Sequence, residues 1–127
     1  MSQKRSVQGE LMGPCPFCNN QETVLVRNDH AFAISDKHPI SPGHSLIVSR
    51  RHVATIFDLD ANEYAGCFAL LRDLKDVVLK AWNPQSFNIV VNCGREAGQT
   101  VFHAHVHLVP RYRAERSPQD SNSRFEK

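Results

Sequence analysis

Gln99-Thr100-Val101-Phe102-His103-Ala104-His105-Val106-His107-Leu108-Val109-Pro110-Arg111 is the stretch that decides how this chain folds. Three histidines stand two residues apart, and Ala104, Val106 and Leu108 alternate with them. A period of two belongs to a strand with one face in the core. Successive side chains of a strand point to opposite faces, so the three imidazoles share one face and the apolar residues the other. A polar outer face would be served as well by Thr, Lys or Glu, so a row of histidines asks for a reason. It fits a histidine-rich solvent face, a metal site, or a row of reactive imidazoles. At about 3.3 Å rise per residue the outer two histidines lie about 13 Å apart, while zinc holds nitrogen at about 2.0–2.1 Å. One ion can hardly collect all three from a straight strand. Imidazole is nucleophilic near neutral pH and passes protons, which suits the reactive row.

Immediately before this strand, Cys93-Gly94-Arg95-Glu96-Ala97-Gly98-Gln99 reads as a loop with glycines near both ends. Glycine allows positive φ and close backbone approach, which suits amide donors aimed at a phosphate; an ordinary hairpin turn has the same composition. Ser86–Asn92 reads as the strand leading into that loop. Residues 60–82 read as one long helix. Asp60 is a good N-cap, Glu63 completes a capping box, and Leu59 with Tyr64 fits a hydrophobic staple. Tyr64, Cys67, Phe68, Leu71, Leu74, Val78 and Ala81 recur at helical spacing and form the expected core stripe. Pro84 closes the helix region.

Further back, residues 44–49, 31–34 and 23–27 read as short strands, with Pro39, Pro42 and Gly43 keeping the intervening loop irregular. Asp36 lies in that loop, where a turn role is the commoner one, and His44 is expected to be a packed structural histidine. Cys15-Pro16-Phe17-Cys18 is bracketed by Pro14 and Asn19-Asn20, a rigid turn of the shape a metal knuckle needs. A thioredoxin-like redox pair would want a preceding strand and a following helix, and neither pattern is present. Two unconnected thiols remain the plain alternative. Cys67 sits on the helix stripe and is expected in the core.

The 127 residues carry a formal charge of +2. That length suits one domain with a real core. The charge is too small, and the basic residues too scattered, for a nucleic-acid polymer, whereas a small phosphate ligand is compatible. The first ten residues are polar with no apolar secretory core, and no run approaches the roughly 18 apolar residues of a membrane span. A cytoplasmic protein with reduced or metal-bound cysteines is the expectation. Five short strands and one long helix imply an α+β fold, an antiparallel sheet with the helix packed on it. Residues 1–13 and 112–127 read as tails around a domain at 14–111.

His103-x-His105-x-His107, preceded by Gly98-Gln99-Thr100-Val101, resembles the signature of the histidine triad (HIT) family of nucleotide hydrolases and transferases. Asn92-x-Gly94 is similar to that family's phosphate loop. Ser41-Pro-Gly-His44-x-Leu-Ile-Val-x-x-x-His52 is similar to its central hairpin, and Cys15-x-x-Cys18 to the zinc half-site of its zinc-containing members. Together these cover roughly residues 14 to 111. The resemblance implies a homodimer whose sheets continue across the interface, a structural zinc held by Cys15, Cys18, His52 and His103, and no organic cofactor. It implies a purine nucleotide as substrate, with Asp36 accepting from the ribose hydroxyls. Asn92, Gly98, Gln99, Thr100, His105 and His107 would gather the phosphate. His105 would be the nucleophile, His107 a phosphate hydrogen-bond partner, and His103 the catalytic strand's zinc-tied anchor. His107, where the transferase branch carries Gln, points to the hydrolase side. A purine nucleoside phosphoramidate is the implied substrate; a dinucleoside polyphosphate, or a nucleotide-binding regulatory module with little catalysis, are the alternatives.

Overall fold

The computed structural model describes residues 14–113, so the expected tails lie outside it except for Tyr112 and Arg113. Strands β1 (Val26–Arg27), β2 (Ala31–Ser35), β3 (Ser45–Ser49), β4 (Ser86–Val90) and β5 (His105–Arg111) form one sheet, with helix α1 (Ala61–Trp82) between β3 and β4 in sequence. The strand order is β1-β2-β3-β5-β4, and every neighbouring pair is antiparallel. This is the α+β arrangement expected from the sequence.

Register assigns the two faces. Val48 pairs with His105, Leu46 with His107 and Ile34 with Leu46, so these side chains share one face. Ala31, Ala33, Ile47, Val106 and Leu108 take the other, where they pack with Cys67, Leu70, Leu74 and Val78 of α1. The alternation of His105 and His107 with Val106 and Leu108 thus divides a helix-covered core from a face that carries the histidines.

α1 begins as its residues dictate. Asp60 Oδ1 accepts the Glu63 N–H at 2.9 Å, and Glu63 Oε1 accepts the Asp60 N–H at 2.8 Å. The helix ends on Asn83 in the left-handed conformation, directly before Pro84. The core stripe differs from the expected one. Gly66, Cys67, Leu70, Leu74 and Val78 are buried, while Phe68 and Ala81 face outward and Tyr64 and Leu71 are only partly covered. At Gly66 the missing side chain lets the His30 ring close over the helix: a Cβ there would meet His30 Cβ at 2.6 Å.

The alternation of the histidine row predicts a strand over residues 101–109, and the structure shifts it. It begins at His105, leaves His103 in the approach, and continues through Pro110 to Arg111. Proline is tolerated because of what faces it. Gln85 N–H donates to the Arg111 carbonyl on the β4 side, whereas the Pro110 carbonyl takes the Ser41 hydroxyl at 2.6 Å on the other. Pairing with β3 has stopped at Ser45–Leu108, so no strand asks for the N–H that proline lacks.

Candidate active site and metal centre

Three segments meet at the edge of the histidine face. The turn at residues 15–18 brings two cysteines, the chain after β3 brings His52, and the approach to β5 brings His103. Cys18 Sγ lies 3.1 Å from His52 Nδ1 and 3.6 Å from His103 Nδ1, Cys15 Sγ lies 3.4 Å from His103 Nδ1, and the two Nδ1 atoms are 3.1 Å apart. All four donor atoms fall within 4.8 Å of one another. His103 Nε2–H donates to the Ser49 carbonyl at 2.7 Å, so its Nδ1 carries a lone pair turned toward the cluster. Burial holds that imidazole down to about 4, against a smaller opposing effect of the Ser49 bond, which keeps the lone pair free. Burial, then Cys15, push the Cys18 thiol up to about 11; a bound cation would invert that balance and hold the thiolate. Tetrahedral bonds of about 2.0–2.1 Å to nitrogen and about 2.3 Å to sulfur give edges of roughly 3.3–3.8 Å. The four side chains therefore fit one tetrahedral metal ion.

The segment carrying the cysteines is also a wall of a cavity. About 600 Å³ of space is lined by Pro16, Phe17, Ile34, Asp36, Thr100 and both strand histidines, among others. Phe17 stands edge-on to His103 (centroids 5.7 Å, 78°) and to His105 (5.1 Å, 73°) and packs on Ile34, Leu46 and Val48. Composition and periodicity do not predict this contact. Its position inside the cysteine turn was the available clue, since any ion shared by Cys18 and His103 draws residue 17 toward the histidine row.

His105 Nδ1–H donates to the His103 carbonyl at 2.7 Å, which leaves the lone pair on Nε2. Burial lowers its pKa, against smaller opposing contributions from that hydrogen bond and from Asp36. The ring on the cavity wall is thus a neutral imidazole of fixed tautomer. His107 lies beside it, with ring centroids 5.1 Å apart. Asp36 Oδ1 accepts the His38 N–H at 2.9 Å, and its Oδ2 lies 3.2 Å from His44 Nε2 and 3.8 Å from His107 Nδ1.

The remaining expected phosphate residues divide. Thr100 lines the cavity. Gly98 is in the left-handed conformation that ends the loop's short 3₁₀ turn. Asn92 is buried two residues beyond β4, and its amide nitrogen has no hydrogen-bond partner among the described residues, a donor kept in reserve. Gln99 is 2% exposed and its amide is fully engaged: Oε1 accepts the Gly94 N–H at 2.8 Å, and Nε2 donates to Ala54 and Val101 carbonyls at 2.7 and 2.9 Å. It braces the loop from behind. His103 faces the cysteines and Ser49, outside the cavity lining.

The chain is similar to known proteins in family, sequence and fold. The family model described as HIT domain matches residues 18–114. The chain is 33% identical over 106 residues to the Arabidopsis thaliana protein Adenylylsulfatase HINT3, covering 80% of this chain and 54% of that protein. It is 36% identical over 97 residues to the Schizosaccharomyces pombe Bis(5'-nucleosyl)-tetraphosphatase [asymmetrical], covering 76% and 53% respectively. This chain therefore spans about half the length of these two relatives. The crystal structure of a HIT family protein from Bacillus anthracis superposes with a TM-score of 0.72 at 29% identity, covering 84% of this chain and 82% of that one.

Proposed function

The chain belongs to the HIT domain family, and from that premise we propose that it is a nucleotide hydrolase acting through a covalent nucleotidyl-His105 intermediate. The observation that carries this is the state of His105: a neutral imidazole on a cavity wall, proton fixed on Nδ1 by the His103 carbonyl and lone pair on Nε2. Nε2 attacks the α-phosphorus, the bond from phosphorus to the leaving group breaks, and the leaving group departs with the electron pair and takes up a proton. Water then attacks the same phosphorus, the phosphorus–nitrogen bond breaks, and a nucleoside monophosphate is released. Thr100 and Asn92 supply donors for the phosphate oxygens, and His107 supplies another; the Gly98 N–H is already given to the Arg95 carbonyl at 3.0 Å, so Gly98 shapes the loop instead. Asp36 accepts from the ribose hydroxyls with the lone pairs that its contacts leave over.

A purine nucleoside phosphoramidate is the proposed substrate. Adenylyl sulfate and dinucleoside polyphosphates form the second reading, which the names of the two relatives favour. Zinc is the proposed ion of the cysteine–histidine cluster. Four protein ligands close its coordination, so its part is structural: it would tie the Phe17 turn to the His103 approach. A homodimer is proposed through the β4 edge, where Ile89 is 54% exposed and β4 pairs only with β5 among the described residues. Ile89→Lys should then give a monomer by light scattering.

The activity is tested by turnover of an adenosine 5′-phosphoramidate, adenylyl sulfate and diadenosine tetraphosphate, each by wild type and by His105→Ala. Release of AMP by wild type and its loss in the variant is the expected result. Wild type that binds AMP and hydrolyses none of the three would overturn the hydrolase reading.

A further inference from the structure

His44 is buried behind the cavity, with 1% of its surface exposed. Its two ring nitrogens have different jobs. Nδ1 accepts the backbone N–H of Ile40 at 3.0 Å, so it carries a lone pair and the ring's proton resides on Nε2. Nε2 in turn lies 3.0 Å from His107 Nδ1 and 3.2 Å from Asp36 Oδ2. An N–H between those two acceptors is a donor, and Nδ1 of His107 is the nearer one. His107 must then hold its own proton on Nε2, the nitrogen at the opposite side of the ring from His44.

We propose that His44 is a positioning residue that sets the tautomer of His107, so that His107 presents an Nε2–H donor beside His105. The inference rests on the hydrolase reading for its catalytic consequence, though not for the tautomer itself. A neutral histidine can place its proton on either nitrogen, and only the Nε2–H form offers a donor on the side away from His44. Asp36 completes the chain by accepting from the same His44 proton. One carboxylate thus touches both the cavity and the relay behind it. Asp36, His44 and His107 are also close enough to suggest a second metal site. The Ile40 bond argues otherwise, because a protonated Nε2 has no lone pair for an ion.

The loop that carries His44 is built for this. Asp36 N–H donates to the His44 carbonyl, His44 N–H to the Ser41 carbonyl, and Ile40 N–H to the ring. The ring therefore has a loop-holding nitrogen and a relay nitrogen, and two substitutions separate them. The oxygen of Asn reaches roughly where Nδ1 stands, so His44→Asn keeps the acceptor for Ile40 and loses the relay. The amide nitrogen of Gln reaches roughly where Nε2 stands, so His44→Gln keeps the donor to His107 and loses the loop bond.

The test pairs kinetics with long-range ¹H–¹⁵N spectra of histidine-labelled full-length protein. Wild type should show His107 protonated on Nε2 and bare on Nδ1. His44→Asn should give a mixed His107 tautomer and a kcat reduced about 10-fold or more with KM little changed, as loss of a positioned proton donor does. His44→Gln should restore the Nε2–H tautomer and recover most of that loss. The reverse ranking, or equal losses with the His107 tautomer unmoved in His44→Asn, would overturn the proposal and leave His44 a loop support. Wild-type His107 protonated on Nδ1 would overturn it outright. If wild type turns over no nucleotide, the hydrolase reading fails, and the spectra still decide the relay.

Discussion

Glu63 joins the start of α1 to the segment that carries His52, and its removal has a calculable effect. Its Oε1 accepts the Asp60 N–H and the Arg51 Nη2, and its Oε2 accepts the Arg51 Nε, all at 2.8 Å. Arg51 also donates to the Asp58 carbonyl at 3.1 Å. The Arg51 hydrogen bonds, then the Asp60 backbone, hold the Glu63 carboxyl down from 4.5 to about 2. At full strength that depression corresponds to about 3 kcal/mol. Arg51 is 46% exposed, so solvent screens the pair and about 1 kcal/mol is the expected net value. Glu63→Gln retains an acceptor for the capping box and removes the charge, isolating this amount; Glu63→Ala loses the cap as well and should cost about 2 kcal/mol. The sign follows from the depressed pKa. The contribution is fully present above pH 4.5, the unfolded value, and fades as pH falls toward 2. By that linkage about 40% of it remains at pH 3. Urea unfolding of wild type and Glu63→Gln at pH 7 and pH 3 reads the difference directly, and any effect of acid common to both proteins cancels. A gap that is the same at both pH values, or absent at pH 7, would refute the ion-pair account.

Gly66→Ala should destabilise the fold by about 1–3 kcal/mol in thermal unfolding, although alanine is about 1 kcal/mol better in an open helix, because its Cβ would press on His30. Chelation should remove one metal ion per chain by elemental analysis; at a free metal concentration 1,000 times Kd the ion adds about 4 kcal/mol, so the unfolding midpoint should fall on its removal. Cys18→Ser should abolish that difference between metal-loaded and chelated protein. Phe17→Ala removes two edge-to-face ring contacts, each worth about 0.5–1.5 kcal/mol, and should lower kcat/KM roughly 10-fold while metal content stays at one per chain. Unchanged kcat/KM would show that the turn does not orient His105.

The two faces of the sheet were legible because period-two alternation is a direct consequence of strand geometry, and Val106 and Leu108 do lie under α1 while His105 and His107 do not. The capping box of α1 was legible for a similar reason, as Asp60 and Glu63 each bond the other's backbone N–H only three residues away. The helix stripe was only partly legible, since spacing alone does not say which of Phe68 and Leu70 faces the sheet, and Gly66, which packs on the sequence-distant His30, carries no apolar signal. The start of β5 was misplaced because His103 keeps the two-residue spacing while its ring bonds Ser49 from outside the ladder. In the site, residue types pointed to the histidine row and the Cys15–Cys18 turn, and the family resemblance added Asp36, His52 and His103. They could not reveal that Gln99 turns its amide to the Ala54 carbonyl, nor that His44 reaches His107, because both contacts join distant segments.

Rapid-mix intact-mass analysis of wild type and His105→Ala with an adenosine 5′-phosphoramidate tests the central claim most directly. A transient gain of one adenylyl group on wild type, absent from the variant and mapped to residue 105, is the predicted result. AMP release by His105→Ala at the wild-type rate, or an adenylyl group mapped to another residue, would contradict the account.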